Sequence, residues 1–150
     1  METLAWHASL ILSASASSLP LVSARYHASA GGTEVMVYTP DRHDLFATLT
    51  RAFDAHGLSI MSARIHTTLS GFALDTFVVL DRDNQPVTAT RELDGLSRAL
   101  RAELSQAANH PAPVTARLPR ALKHFPIRTR THFSATPEGH ATLMEITAQD

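Results

Sequence analysis

Apolar residues recur along this chain at helical spacing in three stretches and alternate with polar ones in several others. Leu4, Ala8 and Ile11 predict a short helix, with Thr3 as its cap and the Ser/Ala tract at 13–18 as a linker. Leu21 to His27 is rich in β-formers, and Ser29-Ala30-Gly31-Gly32 turns it into a second strand over Glu34 to Thr39. After Pro40, Asp41 and Asp44 have the spacing of a helix N-cap with an acidic first turn. Leu45, Phe46, Leu49 and Phe53 then share one face, and Gly57 supplies a left-handed C-terminal position, which together predict a helix over 44–56.

From Ser59 the period becomes two, with Met61, Ala63, Ile65 and Thr67 on one face and Ser62, Arg64 and His66 on the other. Ser70-Gly71 turns the chain into a strand over Phe72 to Leu80. There Phe77 and Val79 lie opposite Leu74 and Val78, so both faces of the sheet are expected to be at least partly covered. Ala89, Leu93, Leu96, Leu100 and Leu104 form the stripe of an amphipathic helix, which Asn109-His110-Pro111 stops. A proline-containing tail leads to two β-like runs, Arg128 to Ser134 and Ala141 to Ala148, joined through Pro137-Glu138-Gly139 as a hairpin.

Counted from Glu34, the order is strand, helix, strand, strand, helix, strand. It predicts an α+β fold of βαββαβ type, an antiparallel sheet with both helices on one face. An N-terminal helix and strand flank it, and an extra C-terminal strand is left over. The expected division is a flank at 1–32, a domain at 33–134 and the start of a further domain at 135–150, with Leu21 to His27 and the strand at 128–134 competing for the place beside Glu34 to Thr39.

Composition narrows the function classes. The 150 residues are 44% hydrophobic, enough for one domain with a real core, and the formal net charge of −1 provides no basic field for a nucleic-acid backbone or an acidic membrane surface. There is no cysteine, which removes disulfides, thiolate nucleophiles and thiolate metal sites and is compatible with a reducing, cytoplasmic setting. The apolar run Leu4 to Leu12 lacks a basic leader and falls far short of the roughly 20 residues a membrane helix needs.

Catalytic chemistry finds little to stand on. The nine histidines include no pair at metal-binding spacing, and His43-Asp44 sits at a strand-to-helix turn where helix capping explains it, so no metal site is expected. Ser70-Gly71 and Ser134 lie outside any nucleophile elbow, and Gly31-Gly32 precedes a strand instead of a helix, so neither acyl transfer nor phosphate cradling is indicated. Trp6, Phe46, Phe53, Phe72 and Phe77 read as packing residues. Arg117, Arg120, Lys123, Arg128 and Arg130 read as a solvated basic face.

The element order, with an Asp-containing turn between the first strand and helix, resembles the ACT domain. The strings GGTEVMVYTPDRHDLFATLTRAFDAHGLSIMSARIHTTLSGFALDTFVVLD (Gly31 to Asp81) and LPRALKHFPIRTRTHFS (Leu118 to Ser134) resemble the first ACT region of the bacterial bifunctional uridylyltransferase/uridylyl-removing enzymes, and the likeness extends over nearly the whole chain. It implies a regulatory piece of a larger enzyme, without a catalytic residue or cofactor of its own. The parent would need Mg2+ in its catalytic domains and act on the PII signal protein in nitrogen regulation. The partners implied are glutamine or another amino acid, other copies of the chain, or the parent's other domains.

The resemblance places a ligand at Asp41, Arg42, His43, Asp44 and Leu45, with Ile60 and Met61. In ligand-binding ACT domains this turn resembles Asp-x-Pro-Gly-Leu, whereas here Asp44 stands in place of the glycine and brings a negative charge to the spot a ligand carboxylate would occupy. The alternative reading is a purely structural module that packs ACT against ACT or against other domains and takes no ligand.

Overall fold

The computed structural model describes residues 2–15, 18–106, 128, 130–135 and 142–147. The chain divides into two compact units, Met1–Ala112 and Pro113–Asp150. The first contains α1 (Glu2–Ser13), β1 (Leu21–His27), β2 (Gly32–Pro40), α2 (Leu45–Ala55), β3 (Ser59–Thr67), β4 (Phe72–Leu80) and α3 (Thr90–Gln106). The second contains the hairpin of β5 (Arg130–Ala135) and β6 (Thr142–Thr147).

The four strands of the first unit form an antiparallel sheet in the order β1-β2-β4-β3. From β2 to α3 the order is that of an α+β, ferredoxin-like ACT domain. The edge place beside β2 is filled by β1, and the expected last strand at 128–134 pairs with β6 in a separate two-stranded sheet. Chain connectivity explains the choice. A single 3-10 turn, Ala28–Ala30, closed by Gly31 at φ 72°, links β1 to β2, so this pairing closes a far shorter loop than a strand from residue 128 onward would. The register runs from Leu21↔Tyr38 to His27↔Gly32.

Alternation along the strands sorts the side chains. Val22, Val35, Val37, Ala73, Phe77 and Val79 face α2 and α3 and pack with Leu45, Leu49, Phe53, Leu96, Leu100 and Leu104 in one core. The Phe53 ring meets Phe77 at 5.0 Å between centroids, tilted by 56°, a geometry aromatic pairs favour. α2 ends as its sequence predicts: Gly57 takes φ 70°, and the Leu58 amide donates back to the Phe53 carbonyl at 2.9 Å. The leucine stripe of α3 is buried at Leu93, Leu96, Leu100 and Leu104. The Pro137-Glu138-Gly139 turn, the helix stop at 109–111 and the basic residues Arg117, Arg120 and Lys123 lie outside the described residues.

The opposite sheet face carries Arg25, Glu34, Met36, Thr76 and Arg64, and α1 covers part of it. Met36 is fully buried there, so both faces are covered to that extent. Thr3, expected to cap the helix, donates instead to Glu34 Oε1 at 3.0 Å. His7, buried at 6% exposure, shares a hydrogen bond with Thr76 Oγ1 at 3.3 Å. Among the described residues, no helix is long and apolar enough to cross a membrane.

Candidate functional site

The turn between β2 and α2 is anchored to the β3–β4 connection. Asp41 donates its backbone N–H to the Gly71 carbonyl at 2.8 Å, and its Oδ2 accepts from Thr67 Oγ1 at 3.2 Å. Arg42 reaches across to α3, donating from Nη1 to the Leu104 carbonyl at 3.0 Å, where a cation meets the negative end of the helix. Leu45 is buried in the core at 4% exposure. His43 and Asp44 remain at the surface, with His43 Nδ1 2.9 Å from Asp44 Oδ1.

Asp44 occupies the N-cap position of α2 but does not cap it. Its backbone is left-handed, at φ 67° and ψ 8°, and no side chain caps the first turn. A capping side chain needs an extended N-cap backbone to swing back over the following amides; the left-handed backbone prevents this, and the carboxylate lies beside His43 instead. The first amides of α2 are thus left without a side-chain acceptor, and the Asp44 carbonyl takes the Thr48 amide at 2.8 Å. The position where the ACT pattern has glycine keeps the conformation glycine favours while bearing an aspartate.

Ile60 and Met61 do not join this turn. The turn follows Pro40, which pairs with Phe72, whereas Ile60 pairs with Val79 and so lies at the other end of the sheet. The strand rise of about 3.3 Å per residue puts them roughly 20 Å away. Ile60 packs against the core, and Met61 sits at a bulge with 61% exposure. The five residues of the turn are brought together, and these two are not.

Two features escaped sequence reasoning. Asp75, between Ala73 and Phe77 on the helix-facing side of β4, is 1% exposed and its Oδ1 has no hydrogen-bond partner. Burial pushes its carboxyl up from 3.8 to about 6, with Asp41 adding to the rise and the His66 backbone amide opposing it. A lone acid within the apolar run Phe72 to Leu80 was the available clue.

The second feature is a charged cluster on the α1 face. Glu34 accepts from Arg25 Nε at 2.8 Å, has Arg25 Nη2 at 2.7 Å, and lies 3.2 Å from His27 Nδ1. Beside it opens a cleft of about 340 Å³ lined in part by His27, Glu34, Ser62, Arg64 and Thr76. Among the described residues, no group of three or more His, Asp or Glu side chains converges as a metal site would.

Comparison with known proteins finds relatives in sequence over nearly the whole chain. The chain is 37% identical over 149 residues to the bifunctional uridylyltransferase/uridylyl-removing enzyme of Aliivibrio fischeri (strain MJ11), covering 99% of this chain and 17% of that protein. It is 38% identical over 147 residues to the enzyme of that name from Nitrosospira multiformis, and 37% identical over 152 residues to that of Vibrio cholerae, with 98% and 99% of this chain covered. The chain is homologous to one segment of these enzymes. It spans 17% of the length of these uridylyltransferase/uridylyl-removing relatives. No family profile matches it, and no solved structure does.

Proposed function

We propose that this chain is a regulatory, amino-acid-sensing ACT module of a cytoplasmic uridylyltransferase/uridylyl-removing enzyme, without catalysis of its own. Its ligand is glutamine and its output is control of PII uridylylation in nitrogen regulation. The observation that carries the reading is the uncapped start of α2, preceded by a left-handed residue at 44. Free amides at a helix N-terminus, with the positive end of the helix dipole behind them, are suited to a ligand carboxylate. The homologous segment and the ACT-like order support the same reading.

Asp44 sets the affinity. Like charges about 4 Å apart repel by roughly 1 kcal/mol in water and more where solvent is thin, so glutamine binds the unmodified chain weakly, in the millimolar range or above. Isothermal titration with glutamine should show weak saturable heat, tightening about tenfold in Asp44→Gly as the repulsion is removed. Binding absent from both proteins, or equal in both, would overturn the sensing site; absence from both favours a purely structural interaction module. Incubation of the chain with UTP, magnesium and PII protein should leave PII unmodified.

A further inference from the structure

We infer that the cleft on the α1 face is a second ligand site, for a small metabolite bearing a carboxylate or phosphate. This inference is independent of the turn at 41–45. The volume of about 340 Å³ lies at the lower end of small-molecule sites, and the lining is mostly polar.

The charges decide the ligand class. Glu34 is already satisfied: Arg25 binds it through Nε at 2.8 Å and Nη2 at 2.7 Å, and Thr3 Oγ1 donates to it at 3.0 Å. Its negative charge is therefore spent within the protein. His27 is held alongside, with Nε2 2.9 Å from Ser29 Oγ and 3.7 Å from the exposed carboxylate of Glu2. Arg64 lines the same cleft and has neither a hydrogen bond nor an ion pair among the described residues.

Strand register fixes where Arg64 stands. It pairs with Thr76, and Ser62 pairs with Val78, so the guanidinium and the Ser62 hydroxyl rise from one face of β3 two residues apart, next to the Thr76 hydroxyl. A guanidinium presents its N–H groups in a planar fork that matches the two oxygens of a carboxylate or phosphate, and neighbouring hydroxyls supply further donors. The first turn of α1, which contributes Thr3 to the wall, also carries Glu2, whose carboxylate lies 3.7 Å from His27 and offsets the positive end of the helix, so that Arg64 is the group that selects an anion. A cation or an apolar ligand would leave Arg64 unanswered.

The test is an amide NMR titration of the chain with inorganic phosphate and, separately, with glutarate, at about 0.15 M salt so that diffuse surface attraction is screened. Saturable shifts at Ser29, Ser62, Arg64 and Thr76 are expected at millimolar probe, and the tighter probe identifies phosphate or carboxylate as the source. Arg64→Gln, on an exposed strand, should weaken binding at least tenfold with the amide spectrum otherwise retained. Arg98→Gln, an equal charge change on α3, should leave it unchanged. Failure of both probes to saturate, or equal binding in Arg64→Gln, would overturn the site. Shifts confined to 41–45 would also overturn it while leaving the sensing turn intact.

Discussion

The guanidinium of Arg25 stands 4.2 Å over the ring of Trp6, holding α1 to the sheet from above while it grips Glu34 from the side. The contact joins α1 to strands whose second face is charged, and it adds a cation–π attraction to the hydrogen bonds that Thr3 and His7 make with that face. Burial lowers the pKa of His7 below 6.5; Glu34 opposes that shift, and Arg25, Arg64 and His66 add to it.

A histidine with a depressed folded pKa stabilises the fold above its unfolded value, and that contribution is lost as pH falls below about 6.5. Acidification is expected to release α1 before the sheet unfolds. Trp6 is the one tryptophan in the chain, so its emission reports the event: a red shift below pH 6 with far-ultraviolet dichroism retained, abolished in His7→Gln. Constant Trp6 emission between pH 7.5 and 5 would contradict this.

Asp75 acts in the opposite sense. Its folded pKa of about 6 lies above the ordinary 3.8, so its contribution to stability is fully present below 3.8 and is lost as pH rises through 6. Asp75→Asn should raise the unfolding free energy measured in urea at pH 7, by up to about 3 kcal/mol at 1.36 kcal/mol per pKa unit. The difference from the wild-type protein should shrink steadily from pH 6 towards pH 4. A difference that does not vary with pH would assign the effect to packing instead of ionisation.

Asp44 pays for a left-handed backbone without receiving a cap in return. Asp44→Gly removes the steric cost at φ 67° but makes the unfolded chain more flexible, so a net stabilisation of about 0.5–1 kcal/mol is expected. Thermal unfolding should show a rise of a few degrees. A fall in melting temperature would mean that the His43–Asp44 pair contributes more than its exposure suggests.

The helical stripes and the alternation in β3 and β4 were legible because each element buries a periodic face, and Leu96, Leu100, Phe53 and Phe77 reach the core as their spacing requires. Residues whose role depends on another strand were not legible. Glu34 looks like an exposed polar position until β1 places Arg25 directly across from it. Asp44 looked like a cap because the residue type fits, and only the backbone angle shows that it is not. Ile60 and Met61 are ligand candidates by resemblance alone, and only the sheet register shows that they stand at the end of β3 away from the turn.

The place that β1 takes beside β2 also bears on kinetics. A strand from residue 128 onward would have to find its partner across α2, the β3–β4 pair and α3, whereas Leu21 meets Tyr38 within one hairpin. Loop closure costs about 0.6 kcal/mol more for each doubling of the loop, and chains rich in local contacts fold faster than those that join distant segments. The β1–β2 hairpin is therefore a local unit of this sheet, as the β3–β4 pair, joined by a connection of the same length, is another. Once both have formed, β2 offers its other edge as a template on which the β3–β4 pair assembles.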